Sequence, residues 1–128
     1  MLVLLDTHVL LWALYRSAKL STQAAEVLRD ARNRCIFSAA SIWEIAIKAR
    51  LARSDFDADP FAVADDARSA GFEEVPIDAA TAARVASLPL HHADPFDRLL
   101  VAQAMAHPAR LLTADRALAP YSELVTVV

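Results

Sequence analysis

Glycine is almost missing: the 128 residues contain only Gly71. A Walker-type phosphate cradle or a dinucleotide fingerprint needs several glycines, so nucleotide-cofactor sites of those kinds are excluded. Cysteine is as scarce. Cys35 stands alone, which rules out an internal disulfide and a thiolate zinc cluster, and its apolar surroundings place it in the core. His8, His91, His92 and His107 form no His-Glu-x-x-His pattern, so a zinc hydrolase is not indicated. Lysine is confined to Lys19 and Lys48. A net charge of -3 and a pI near 5.7 argue against a bare electrostatic DNA binder, which would be strongly basic. Long hydrophobic runs are missing too. The apolar stretch Val9 to Tyr15 is far shorter than the ~20 residues of a membrane span. The amino terminus lacks the basic start of a signal peptide, so a soluble cytoplasmic protein is expected.

What is present is apolar. The hydrophobic fraction is 56%, ample for the core of one domain over residues 1–128, with some left for a partner surface. Leu2-Val3-Leu4-Leu5 reads as a strand buried on both faces. Helix is expected over His8 to Tyr15 and again after Ser21. Cys35 to Ser38 is a second strand, followed by a helix over Ala40 to Leu51. Asp55 to Asp59 is an acidic loop, and Asp59-Pro60 opens a helix that Gly71 stops. Phe72 to Ile77 is a third strand, and Asp78 caps a helix over Ala79 to Leu88. Asp94-Pro95 opens a helix to about His107. Arg110 to Thr113 and Leu124 to Val128 are the last strands. Strands alternating with helices imply an α/β fold, three layers around a parallel sheet of four to five strands.

Several carboxylates stand at informative places in that pattern. Asp6 ends the first strand, where open α/β sheets bind ligands, although it could equally cap the next helix. Glu44 follows Ser41 by three, the spacing of a capping box. Asp97 suits the first turn of its helix, with Asp94 as the cap, and Asp115 is another candidate cap. Each has a plain structural explanation. Together, however, Asp6, Glu44 and Asp115 follow buried strands and would gather along one sheet edge, with Asp97 joining if its helix starts there. Converging carboxylates with no lysine expected nearby repel one another. A hard divalent cation resolves the repulsion, because magnesium and manganese prefer carboxylate oxygens.

Leu4-Leu5-Asp6-Thr7-His8, Trp43-Glu44-Ile45, His92-Ala93-Asp94-Pro95-Phe96-Asp97-Arg98 with Leu99-Leu100-Val101-Ala102-Gln103-Ala104 behind it, and Leu112-Thr113-Ala114-Asp115 occur in that order. In these segments the chain resembles PIN-domain nucleases, and within them the VapC-type ribonuclease toxins of bacterial toxin–antitoxin pairs. The resemblance implies a PIN-like fold. It implies a Mg2+ or Mn2+ site made of Asp6, Glu44, Asp97 and Asp115, with Asp6 and Asp97 the firmest ligands and Asp94 kept as a cap. Thr7 and Thr113 would line the site. The implied activity is hydrolysis of RNA to 5′-phosphate and 3′-hydroxyl ends, and the implied partners are a cognate antitoxin and a second copy of the chain.

Arg98, beside Asp97, is the best candidate for a phosphate contact. His91 and His92 read as ordinary loop residues, and Trp12 and Trp43 as core rather than base-stacking platforms. Arg29, Arg32 and Arg34, and Lys48, Arg50 and Arg53, read as solvated faces. Two other readings stay open: a degenerate, metal-free binding module on the same fold, and a receiver-type signalling domain. The latter needs an acidic pair after the first strand and a lysine near the last, but Thr7 follows Asp6 and no lysine lies beyond Lys48.

Overall fold

A computed structural model describes residues 1–51 and 57–128. Its chain order is β1 (Leu2–Leu5), α1 (Thr7–Leu14), α2 (Thr22–Arg29), β2 (Arg34–Ser38), α3 (Ala39–Arg50), α4 (Pro60–Ser69), β3 (Glu73–Val75), α5 (Ala79–Arg84), α6 (Pro95–Ala106), β4 (Arg110–Thr113) and β5 (Val125–Val127). The strands form one sheet in the order β3-β2-β1-β4-β5, and every pairing is parallel. Arg53 and Asp55, assigned from sequence to a solvated face and an acidic loop, lie outside the described residues.

The unalternating apolar runs of β1, β2 and β4 fill both sides of the sheet. Val3, Leu5, Phe37 and Leu112 pack on one face with Val9 and Leu10 of α1, Ala24 of α2, Ile45 of α3 and Val63 of α4. Leu4, Ile36 and Leu111 pack on the other with Leu100, Val101 and Ala104 of α6 and Leu118 of the turn after β4. Successive strand residues alternate between the two cores, as the pleat requires. The three-layer α/β/α arrangement expected from the sequence is the one observed.

Local signals set most boundaries. Asp59 accepts from Phe61 N–H at 2.9 Å and caps α4, with Pro60 in the first turn. Beyond its end, Gly71 takes φ +91°, a left-handed conformation that costs glycine little. Three expectations came out longer than the elements. The third strand is only Glu73–Val75, the last is only Val125–Val127, and the helix after Asp78 tightens into a 3-10 turn over Val85–Ser87.

Ser38 ties the layers together. It is fully buried, its Oγ accepts from Ala40 N–H at 2.9 Å to cap α3, and it donates to Gln103 Oε1 of α6 at 2.5 Å. Ser38→Ala leaves both partners without a replacement. Chemical denaturation is expected to show a loss of about 2 kcal/mol; a loss near zero would mean that the cap and the bond to Gln103 contribute nothing.

Candidate active site

In the sheet order β1 lies between β2 and β4, so the chain adds β2 and β3 on one side of β1 and then reverses to add β4 and β5 on the other. Crevices at the carboxyl ends of strands open at such a reversal. Asp6 sits there, 5% exposed, with its N–H on Leu112 O of β4 at 3.0 Å. One carboxylate oxygen accepts from Val9 N–H at 2.8 Å and the other from the Thr113 hydroxyl. Asp6 therefore caps α1 and at the same time stands in the cleft at the carboxyl edge of the sheet. Burial raises its pKa above the ordinary carboxylate value, against those two hydrogen bonds, which lower it.

Glu44 is 2% exposed and is not part of a capping box. Helix α3 starts earlier than expected, capped by Ser38, which puts Ser41 inside the helix. The Glu44 side chain instead crosses to α1, accepting from Thr7 Oγ1 at 2.6 Å, and on its other oxygen accepts from Lys48 Nζ at 2.5 Å. Lys48 is not on a solvated face. Its ammonium lies among the acids and also reaches Asp94 Oδ2 at 3.3 Å, which corrects the expectation of a cluster without lysine. Asp94 caps α6 through Phe96 N–H at 2.8 Å and Asp97 N–H at 3.2 Å, so it caps and pairs with Lys48 at once.

Asp97 reaches the cleft because α6 begins at this edge. Its Oδ2 lies 3.5 Å from His92 Nε2, and among the described residues no donor is hydrogen-bonded to it. Its pKa is pushed up to about 7, by burial first and then by the negative charges of Asp94, Glu44 and Asp6. Asp115, after β4, caps the following turn through Ala117 N–H at 2.9 Å, while its other oxygen meets His92 Nε2 at 2.8 Å.

Asp6, Glu44, Asp97 and Asp115 thus line one cleft of about 380 Å³, together with Lys48 and Asp94. All the acids proposed from the sequence are there. Ligand oxygens crowded around a negative hollow, with Asp97 short of hydrogen-bond donors among the described residues and reluctant to ionise, suit a hard divalent cation. Ligand atoms of His92, Asp97 and Asp115 lie within 4.8 Å of one another.

Other expectations need revision. Thr7 and Thr113 are buried behind the carboxylates at 2% and 0% exposure, where they orient Glu44 and Asp6. Arg98 is turned elsewhere. Its guanidinium donates to the carbonyls of Val85, Leu88 and Pro89 and to Tyr121 Oη at 3.1–3.3 Å, so it clamps the connection into α6. Trp43 is not core: it is 54% exposed and stands edge-on to Phe96, centroids 4.9 Å apart. Exposed apolar side chains cluster on α3 and its neighbours, at Trp43, Ile47, Leu51 and Phe61, and others stand at Tyr15, the C-terminal cap of α1, and at Leu90, whereas Val9, Leu10 and Leu11 of α1 are buried. Arg34 is exposed as expected, in a 2.7 Å ion pair with Glu73.

His92 and Lys48, read from the sequence as a loop residue and part of a solvated face, instead meet the acids. Lys48 follows Glu44 by four, the spacing at which helical side chains meet, so that pairing was available. His92 carried only its closeness to Asp94 in the chain; its meeting with Asp115 is a tertiary event.

The fold matches solved structures at low identity. VapBC2 from Rickettsia felis, bound to a DNA fragment from its promoter, aligns at a TM-score of 0.69 and 14% identity, covering 100% of this chain and 98% of that one. A toxin–antitoxin complex from Klebsiella pneumoniae aligns at 0.67 and 19%, covering 98% and 96%. PAE2754 from Pyrobaculum aerophilum aligns at 0.61 and 16%, covering 100% and 92%. No curated protein matches the sequence significantly. The PIN domain family matches residues 3–124, nearly the full length, and with its acids gathered at the carboxyl edge of a parallel sheet the chain belongs to the PIN-domain family.

Proposed function

We propose that this protein is a divalent-metal-dependent endoribonuclease and the toxin of a cytoplasmic toxin–antitoxin pair. The observation that carries the reading is the convergence of Asp6, Glu44, Asp97 and Asp115 in one cleft, with Asp97 held away from ordinary ionisation. The similarity in fold to VapBC2 and to the Klebsiella complex supports the toxin half of the proposal.

Asp6 and Asp97 would hold Mg2+ or Mn2+, with Glu44 and Asp115 helping from the sides. Such a cation, when bound, activates a water and stabilises the charge that develops on a phosphodiester. The chain's own residues do the rest. Thr113 and Val9 N–H fix both oxygens of Asp6, Thr7 fixes Glu44, and Lys48 offsets part of the negative charge. Thr7 and Thr113 act on substrate through these carboxylates. The products carry 5′-phosphate and 3′-hydroxyl ends. An inert binding module is disfavoured by the complete acid set. A generic fluorogenic RNA decides between the two: cleavage with Mg2+ or Mn2+, stopped by EDTA and restored by added cation, is expected, and intact RNA under all conditions would refute the enzyme.

The partner surface adjoins the site. An apolar groove of about 640 Å³ is lined by Ile42, Trp43, Ala46 and Phe61, and Trp43 leads through Phe96 to Asp94 and Asp97. An antitoxin segment would lay apolar side chains in this groove and place an arginine among the carboxylates, whose geometry its planar fork matches. Inhibition by such a segment should weaken when its arginine becomes alanine, and excess Mg2+ should compete with it. Inhibition indifferent to both would contradict this mode. The same exposed apolar surface supports a homodimer, which light scattering would detect.

A further inference from the structure

The ring of His92 lies where a metal ligand would be expected, yet its hydrogen bonds point the other way. Asp94 N–H donates to His92 Nδ1 at 3.0 Å. A ring nitrogen that accepts carries no proton, so this bond assigns the imidazole proton to Nε2. Nε2 therefore donates to Asp115 Oδ2 at 2.8 Å and faces Asp97 Oδ2 at 3.5 Å. A ligating histidine does the reverse: it offers a lone pair to the ion and donates from its other nitrogen.

The backbone around His92 is held as firmly as the ring. The N–H groups of His91 and His92 donate to Tyr121 Oη at 3.0 and 2.9 Å, and Arg98 donates to the same oxygen at 3.2 Å. Arg98 also gathers the carbonyls of Val85, Leu88 and Pro89. A connection without regular structure is thus fastened to α6 and to the turn after β4. Asp115 itself has a half-open side chain, 42% exposed, and caps the 3-10 turn over Arg116–Tyr121 that follows β4. Among the described residues, the His92 ring is the side-chain hydrogen-bond partner of Asp115 besides its own cap bond, and it directs the carboxylate into the cleft.

We infer that His92 is a positioning residue: it holds Asp115 in the cleft through an Nε2–H donor, and it is not a ligand of the cation. Arg98 and Tyr121 act through it, which gives the guanidinium once expected at phosphate a task in the fold. The inference rests on the nuclease reading.

The test uses the full chain. Long-range 15N–1H spectra of metal-free protein should show the His92 proton on Nε2, and it should stay there when Mg2+ is added. A proton on Nδ1, or loss of the Nε2 proton on adding Mg2+, would overturn the inference. His92→Ala should lower kcat for the fluorogenic RNA by about 10–100-fold with KM little changed. His92→Gln, whose side-chain amide can still donate to Asp115, should recover most of that loss and keep calorimetric affinity for Mn2+. A glutamine variant as poor as alanine in both rate and Mn2+ affinity would make His92 a ligand instead. Tyr121→Phe should lower kcat in the same direction while leaving Mn2+ affinity intact, and an unaltered kcat would remove the clamp from the argument. Wild-type protein that neither binds Mn2+ nor cuts RNA would sink the nuclease reading itself, and with it any reaction for His92 to assist; an active wild type with a failed glutamine rescue would sink only the role of His92.

Discussion

Asparagine in place of Asp97 is expected to stop metal-dependent cleavage and, in the same protein, to raise metal-free stability near neutral pH. The first effect follows from the loss of an anionic oxygen donor. If the cation contributes several kcal/mol to stabilising developing charge, the rate falls on the order of 10³-fold. The second follows from linkage. The Asp97 carboxyl titrates at about 7 in the folded protein against an ordinary value of 3.8, because burial and the charges of Asp94, Glu44 and Asp6 oppose ionisation. Between those values the folded state keeps a proton that the unfolded chain has released. The stability of metal-free wild type therefore falls as pH rises from 3.8 toward 7, and the penalty is complete above. Asparagine has no charge to suppress, so the gain of the variant should be largest above pH 7 and fade as pH falls toward 3.8. Denaturation of both proteins in EDTA across that range checks the sign. A variant less stable than wild type at pH 8 would mean that Asp97 is not under electrostatic strain. Added Mn2+ should stabilise wild type and leave Asp97→Asn nearly unmoved.

Lys48→Met is expected to destabilise the metal-free protein by on the order of 3 kcal/mol, because it strands Glu44. Glu44 is 2% exposed and its Oε2 takes the ammonium at 2.5 Å. Removing one member of a buried ion pair leaves an uncompensated charge, which is worse than removing both. The double variant Glu44→Gln with Lys48→Met should therefore recover much of the loss, and the cycle should give a large coupling between the two sites. The methionine stem can still pack near Phe96, over whose ring the ammonium lies at 5.7 Å, so the deficit reports charge rather than a cavity. A divalent cation should restore part of the stability of the single variant. Equal stability of Lys48→Met and wild type in EDTA would show that Glu44 does not need the ammonium.

Part of the site lay in local patterns. The strand before Asp6, the Asp-Pro starts of α4 and α6 and the left-handed Gly71 are short-range matters of sterics, caps and apolar runs, so they could be read directly. The same signals misled where two local rules competed. Ser41 and Glu44 have capping-box spacing, yet Ser38 starts the helix first and frees Glu44 for Thr7, far away in the chain.

By itself the sequence determined the class of the fold, the elements that carry each acid, and the absence of glycine-rich phosphate loops. It could do so because apolar period, capping and turn chemistry are properties of chain neighbours. Only the tertiary structure decided which acids meet. The placement of β1 between β2 and β4 sets Asp6 beside Thr113, and packing of α3 on α1 sets Glu44 beside Thr7. It also decided the charge and hydrogen-bond partners of the cleft: Lys48 between Glu44 and Asp94, His92 on Asp115, and Arg98 drawn away to three carbonyls and Tyr121. A long side chain of fixed charge can satisfy itself on whatever surface the fold brings near. Its direction follows from the strand order and helix packing, and those are settled by burying the whole apolar set at once.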